Sequence, residues 1–234
     1  MGLATHMNLL VDASGSMSAK SMVYGHAKDG TPLGGVDVAT IAAGLMVAQC
    51  EIAKDTFSVF DFHNNGDIVW KGPSGDHRGF LEYIFADYTD ETRPFSPRGG
   101  TNLDAGLKFA YDELETYDFD QTVTCVIIDA TNIDWRGQIR QYDPKLRALG
   151  PVFYIIIGSS IGKLGTLLSE ARQKLEDVLF DMYKTNMSKF ALDFGILVGE
   201  DGNITDFAGK LIEIASMNQR KKIGEDDNDN TMTL

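Results

Sequence analysis

A chain of 234 residues can form one large domain or two small ones, and its 43% hydrophobic and 24% charged residues are ordinary for a soluble globular protein. A formal net charge of −13 argues against nucleic-acid binding, because an acidic surface repels phosphate backbones. We also expect no membrane partner, since no apolar run reads as long enough to span a bilayer.

Cysteine usage favours a reducing compartment. The two cysteines, Cys50 and Cys125, stand among apolar neighbours and are expected to be buried thiols. The N-terminus does not resemble a signal peptide. We therefore expect a cytoplasmic protein, or one of a virion or host cytoplasm, with a secreted form that has lost its signal as the alternative.

The first predicted strand leads into a short polar turn. Leu9, Leu10 and Val11 form an apolar run typical of a buried parallel strand, and the turn from Asp12 to Ser16 follows it. This turn combines one carboxylate with two hydroxyls, which are oxygen ligands suited to Mg²⁺, Mn²⁺ or Ca²⁺. By itself it is also an ordinary turn composition.

Helices and strands alternate through the middle of the chain. The 3.6-residue periodicity predicts a helix from Val36 to Lys54, and alternation predicts strands at Phe57–Phe62 and Ile68–Trp70. Asn65-Gly66 between these strands indicates a hairpin, so an antiparallel edge strand is expected. A short helix is predicted from Phe80 to Phe85.

A second and a third polar segment adjoin predicted elements further on. Thr101 follows Gly99-Gly100 and stands at the expected cap of an amphipathic helix, and Asp129 ends a strand that begins at Val123. The remaining predicted elements follow in chain order: a helix broken near Pro144, a strand at Val152–Ile157, a helix over 164–182, a strand at Phe190–Val198 and a closing helix at Phe207–Ala215.

The alternation predicts an α/β fold in which a doubly wound, six-stranded and mostly parallel sheet has one antiparallel edge strand and helices on both faces. We expect one domain over residues 1–218. The acidic residues 219–234 are expected to form a disordered tail.

The three polar segments together resemble the metal-ion-dependent adhesion site of the von Willebrand factor A (vWA) family. That motif is D-x-S-x-S, then a threonine after a glycine pair, then an aspartate that ends the fourth strand. The positions that match it here are Asp12, Ser14, Ser16, Thr101 and Asp129. The resemblance implies the strand order 3-2-1-4-5-6, which places the ends of the first and fourth strands side by side.

The resemblance also implies a metal-dependent, non-enzymatic protein-binding module. In that family the hydroxyls of the serines and threonine bind the cation and the aspartates balance its charge. One coordination position stays open for a carboxylate of a protein partner, such as an AAA+ ATPase or a multiprotein assembly. Residues expected at the rim of this site are Gly15, Gly100, Asn132 and Asp134.

Several alternatives stay open. Asp12 and Asp129 could instead cap turns or pair with Arg98 and Arg136, leaving a scaffold that needs no metal. A metal-dependent hydrolase with Asp129 as base is a further alternative. Ala130 departs from the glycine that the family often has there. A looser similarity joins part of the chain to the A domain of Ro (TROVE) ribonucleoproteins.

Overall fold

The computed structural model describes residues 5–23, 25–26, 29–86, 93–129, 133–159, 170, 173–175, 177–178, 180–183 and 196–198. The strands are β1 (Thr5–Asp12), β2 (Gly25–His26), β3 (Pro32–Leu33), β4 (Thr56–Phe62), β5 (Gly66–Ser74), β6 (Gln121–Ile128), β7 (Val152–Ser159) and β8 (Ile196–Val198). The helices are a 3₁₀ turn (Gly15–Met17), α1 (Gly35–Ala53), α2 (His77–Ile84), α3 (Leu103–Thr116), α4 (Trp135–Ile139) and α5 (Asp143–Leu149).

Six strands form one sheet in the order β5-β4-β1-β6-β7-β8. Only β5 runs antiparallel to its neighbour, so the predicted doubly wound sheet with an antiparallel edge strand is confirmed. Asp12 lies opposite Phe62 of β4, and Val11 lies opposite Ile127 of β6. From β1 the chain winds outward to β4, and from β6 it winds the opposite way to β7. The ends of β1 and β6 therefore border the crevice in which sheets of this kind bind ligands.

The sheet separates two apolar cores. Leu9 belongs to the core under α1 and α2, while Leu10 belongs to the core under α3, α4 and α5. Neighbouring residues of the central strand thus face opposite sides and are both buried, as expected for a strand covered on both faces. Cys50 and Cys125 are free and buried, as predicted.

Helix α1 corrects the expectation that no apolar run is long enough for a membrane. Its 19 residues reach the length and apolar character of a membrane span. In this fold, however, one face of α1 packs against the sheet. Asp37 in its first turn accepts a hydrogen bond from Gly34 N (2.7 Å) and pairs with Arg93 (2.6 Å). These contacts are those of a core helix.

Several predicted elements differ in detail. Asn102 rather than Thr101 caps α3, because its side chain accepts a hydrogen bond from Ala105 N. The helix predicted around Pro144 is two short helices, with Pro144 in the first turn of the second. The β2–β3 hairpin was not predicted. Only part of the helix predicted over 164–182 is described, and the closing helix and tail lie outside the described residues.

The outer strand β5 is irregular. Its pairing with β4 shifts register on either side of Val59, and it contains Pro73, which has no backbone N–H to donate. The exposed residues Asp67 and Ile68 lie near its start.

A closed polar network lies near the beginning of β1, at the end of the strand away from Asp12. The imidazole of His6 is buried, with Nδ1 2.9 Å from Thr56 Oγ1 and Nε2 2.9 Å from Ser58 Oγ. Its ring stacks on Phe119 with centroids 4.1 Å apart. Burial lowers the pKa of His6 to about 4, so the ring is neutral at physiological pH.

Candidate metal centre

The loop after β1 brings its polar side chains together. Asp12 ends the strand and is fully buried, and its Oδ1 accepts a hydrogen bond from Ser14 N (2.8 Å). Ser14 is also buried, with its Oγ 3.0 Å from the Oγ of Ser16, the middle residue of the 3₁₀ turn. Oδ2 of Asp12 has no hydrogen-bond partner in the described part of the chain. Oδ1 of Asp12 therefore caps the turn, which is the role that the metal-free alternative gave to this residue. Oδ2 is buried without a hydrogen-bond donor among the described residues.

A second loop is paired with the first through the backbone. Arg98 N donates to Ala13 O (2.8 Å), and Gly15 N donates to Gly99 O (3.1 Å). These two bonds hold the segment leading to Thr101 alongside the loop that carries Ser14. Thr101 is half-buried and directly precedes the Asn102 cap of α3.

Asp129 brings the second buried carboxylate to this edge of the sheet. It follows the last residue of β6 and is 1% exposed. Burial, and after it the charge of Asp129, raises the pKa of Asp12 to about 7, although hydrogen bonding from Ser14 opposes the rise. Two carboxylates that disfavour each other's ionisation in this way are stabilised by a bound cation.

The two arginines considered as partners of these aspartates pair with other residues. Arg98 Nη2 lies 3.2 Å from Asp61 Oδ2 and 3.6 Å from Asp67 Oδ2, and Arg136 pairs with Asp181. Burial raises the pKa of Asp61 to about 6, and the guanidinium of Arg98 opposes that rise. Arg98 therefore neutralises the charge of Asp61 near the end of β4, the strand beside β1.

The predicted rim residues are only partly brought together. Gly15 lies in the first loop and Gly100 in the second, where it is exposed. Asp134 is exposed and directly precedes α4. Asn132 and Ala130 lie outside the described residues, so their predicted place at the rim stays a prediction.

Comparison with solved structures gives similarities over almost the whole chain. The PilB minor pilin from Streptococcus sanguinis aligns with a TM-score of 0.61 and 11% identity, covering 94% of this chain and 62% of the pilin chain. BatB from Bacteroides thetaiotaomicron aligns at 0.59 and 13%, covering 92% of this chain and all of the other. An aerotolerance-related membrane protein from Bacteroides fragilis aligns at 0.55 and 13%, with the same coverage. No family model and no curated protein matches the sequence.

The strand order and these alignments together identify the fold. The chain has the fold of a von Willebrand factor A domain. The predicted resemblance is thus confirmed at the level of the fold. The adhesion-site motif and the looser similarity to Ro domains stay predictions. The chain spans less than two thirds of the pilin's length, so only the shared domain is compared.

Two residues that sequence reasoning missed contact the Thr101 segment. At the tip of the β4–β5 hairpin, Asn64 Oδ1 accepts a hydrogen bond from Gly100 N (2.8 Å). His63 O accepts one from Asn102 N (2.6 Å), and Asn64 O accepts one from Asn102 Nδ2 (3.1 Å). No local sequence pattern predicts these contacts, because the partners are separated by more than 30 residues.

The donor set at this edge of the sheet fits a hard divalent cation. Mg²⁺ binds carboxylate and hydroxyl oxygens. The buried Oδ2 of Asp12 is such an oxygen, and it has no hydrogen-bond partner among the described residues. The described residues include no group of three or more His, Cys, Asp or Glu side chains placed to hold a metal. The candidate site has only two carboxylates, and its other oxygen ligands are neutral hydroxyls. It is therefore not the kind of site that such a group would form, and its residues still fit a divalent cation.

Proposed function

We propose that this vWA domain is a non-enzymatic protein-binding module whose divalent cation links it to a carboxylate of its partner. Ser14, Ser16 and Thr101 would hold Mg²⁺, or Mn²⁺ or Ca²⁺, through their hydroxyls. Asp12 and Asp129 would balance its charge. The observation that carries the proposal is the buried Oδ2 of Asp12, which has no hydrogen-bond partner in the described chain and lies close enough to Asp129 for their charges to interact.

The charge balance explains why the partner would supply an acidic group. Two carboxylates neutralise a divalent cation, and the three hydroxyls add no further charge. A cation held in this way stays electrophilic enough to bind another carboxylate. The surrounding protein is acidic, with a net charge of −13, so an acidic partner would depend on the cation for attraction.

The fold type supports a protein partner. One protein that shares this fold is a minor pilin. We extend to this chain a role in protein–protein assembly, with a multiprotein complex or an AAA+ ATPase as the partner.

Calorimetric titration of metal-stripped protein with Mg²⁺ and with Mn²⁺ tests the proposal. Acetate is present throughout, so that a free carboxylate can complete the coordination shell. We expect saturable binding in the wild type and at least a 100-fold loss, about 2.7 kcal/mol, in an Asp12→Ala, Ser14→Ala variant.

An Asp67→Ala, Ser18→Ala variant is the matched control. It removes the same chemical groups, but from an exposed carboxylate and a half-buried hydroxyl outside the motif. It should bind the cation as the wild type does. Absence of binding by the wild type in acetate would contradict the proposal and favour a scaffold that works without metal.

A further inference from the structure

The tip of the β4–β5 hairpin contacts the Thr101 segment through other backbone groups than those bonded to the loop of Ser14. The residues on either side of Thr101 both donate their backbone N–H groups to this tip, Gly100 to Asn64 Oδ1 and Asn102 to His63 O. The Asn102 side chain adds a bond to Asn64 O. The backbone of Thr101 is therefore fixed at both of its neighbours.

The glycine pair before Thr101 fits closely against the same asparagine. Gly99 has a φ of +63°, and a Cβ at this position would lie 2.7 Å from Asn64 Nδ2. A Cβ on Gly100 would lie 3.1 Å from Asn64 Oδ1. A side chain at Gly99 would thus meet both backbone strain and a steric clash. Asn64 and the glycine pair are packed as one unit.

We infer that Asn64 is a positioning residue of the metal centre: it holds the backbone of Gly100 so that the Thr101 hydroxyl is already in place when the cation arrives. This inference rests on the proposed function. Asn64 acts through Thr101 and is not itself a ligand. Its loss removes the hydrogen bond to Gly100 N, so cation binding has to order that segment as well. Groups that orient metal ligands in this way typically contribute 10–100-fold to metal affinity.

Titration with Mn²⁺ in acetate tests the inference, with the free ion followed by its electron paramagnetic resonance signal. We expect Asn64→Ala to raise the Mn²⁺ dissociation constant about tenfold. Asn64→Asp keeps an acceptor oxygen and should bind at least as tightly as the wild type. Asn65→Ala changes the neighbouring exposed asparagine of the same hairpin and should stay within about twofold of the wild type.

A double-mutant cycle with Thr101→Ala separates positioning from general damage to the fold. If Asn64 acts through the Thr101 hydroxyl, adding Asn64→Ala to Thr101→Ala should lower the affinity no further. Thermal unfolding of each metal-free variant verifies that it is folded.

The possible results each decide something different. Unchanged affinity in Asn64→Ala, or additive losses in the cycle, would overturn the positioning role while leaving the metal site intact. Failure of the wild type to bind Mn²⁺ in acetate would overturn the proposed function and this inference with it.

Discussion

The two ends of β1 carry buried polar groups of opposite character. Near its beginning, both ring nitrogens of His6 have hydroxyl partners and the residue is neutral. At its end, Asp12 has one oxygen bonded to Ser14 N, while the other has no hydrogen-bond partner among the described residues. The same strand therefore holds one network that is complete and one that is incomplete.

The difference shows how a structural polar group can be told apart from a candidate ligand. A buried polar group whose partners come from its own fold stabilises that fold. A buried carboxylate that faces a second carboxylate destabilises the fold unless something else neutralises it. Mutations at the two ends of β1 should therefore change stability in opposite directions.

The largest expected effect concerns the pH dependence of the complete network. Because the pKa of His6 is about 4 in the native state and about 6.5 in the unfolded chain, only the unfolded chain binds a proton between these values. This residue should therefore remove on the order of 3 kcal/mol of the free energy of unfolding as the pH falls from 7 to 4. Urea unfolding of the wild type and of His6→Gln across this range should show a shallower loss in the variant. If the free energies of unfolding of the wild type and of His6→Gln fell equally with pH, the lowered pKa of His6 would be contradicted.

The incomplete network at Asp12 should give a pH dependence of stability with the opposite sign. The pKa of Asp12 is raised to about 7, so the metal-free native state loses stability relative to the unfolded chain as the pH rises from about 4 to about 7, and the loss is complete above that pH. Asp12→Asn should therefore raise the free energy of unfolding at pH 8 by about 2 kcal/mol without metal. Chemical denaturation with a chelator present measures this. Asp67→Asn, at an exposed site, serves as control, and a less stable Asp12→Asn variant would contradict the comparison.

The smallest expected effect is the loss of one partner of His6. Ser58→Ala leaves Nε2 without its hydroxyl partner and should lower the free energy of unfolding by about 1 kcal/mol. Cation affinity at the other end of the sheet should not change, because the residue is remote from Asp12. A combined urea and Mn²⁺ titration of this variant checks both statements, and an altered Mn²⁺ affinity would show that the two ends are coupled.

Much of the fold could be predicted because its signals are local. The strand at Val152, the periodicity of α1 and the Asn65-Gly66 hairpin are each contained within a short window of sequence. The order of the strands came from the family resemblance, and the structure confirms it.

The supports of the candidate site could not be predicted in the same way. Asn64 reaches Gly100 across 36 positions, and Asp61 reaches Arg98 across 37. Nothing in the local sequence of either residue indicates its partner. The capping of α3 was assigned to Thr101 because threonine and asparagine both suit that position, and only the bond to Ala105 N distinguishes them.

The irregular edge strand β5 has a consequence for how copies of this protein can associate. An exposed, regular edge invites another strand to extend the sheet, and from there aggregation can begin. Here Pro73 withholds one donor, the register shifts in β4–β5 pairing disturb the regularity of that edge, and Asp67 adds a charge. These features disfavour lateral growth of the sheet through its antiparallel edge.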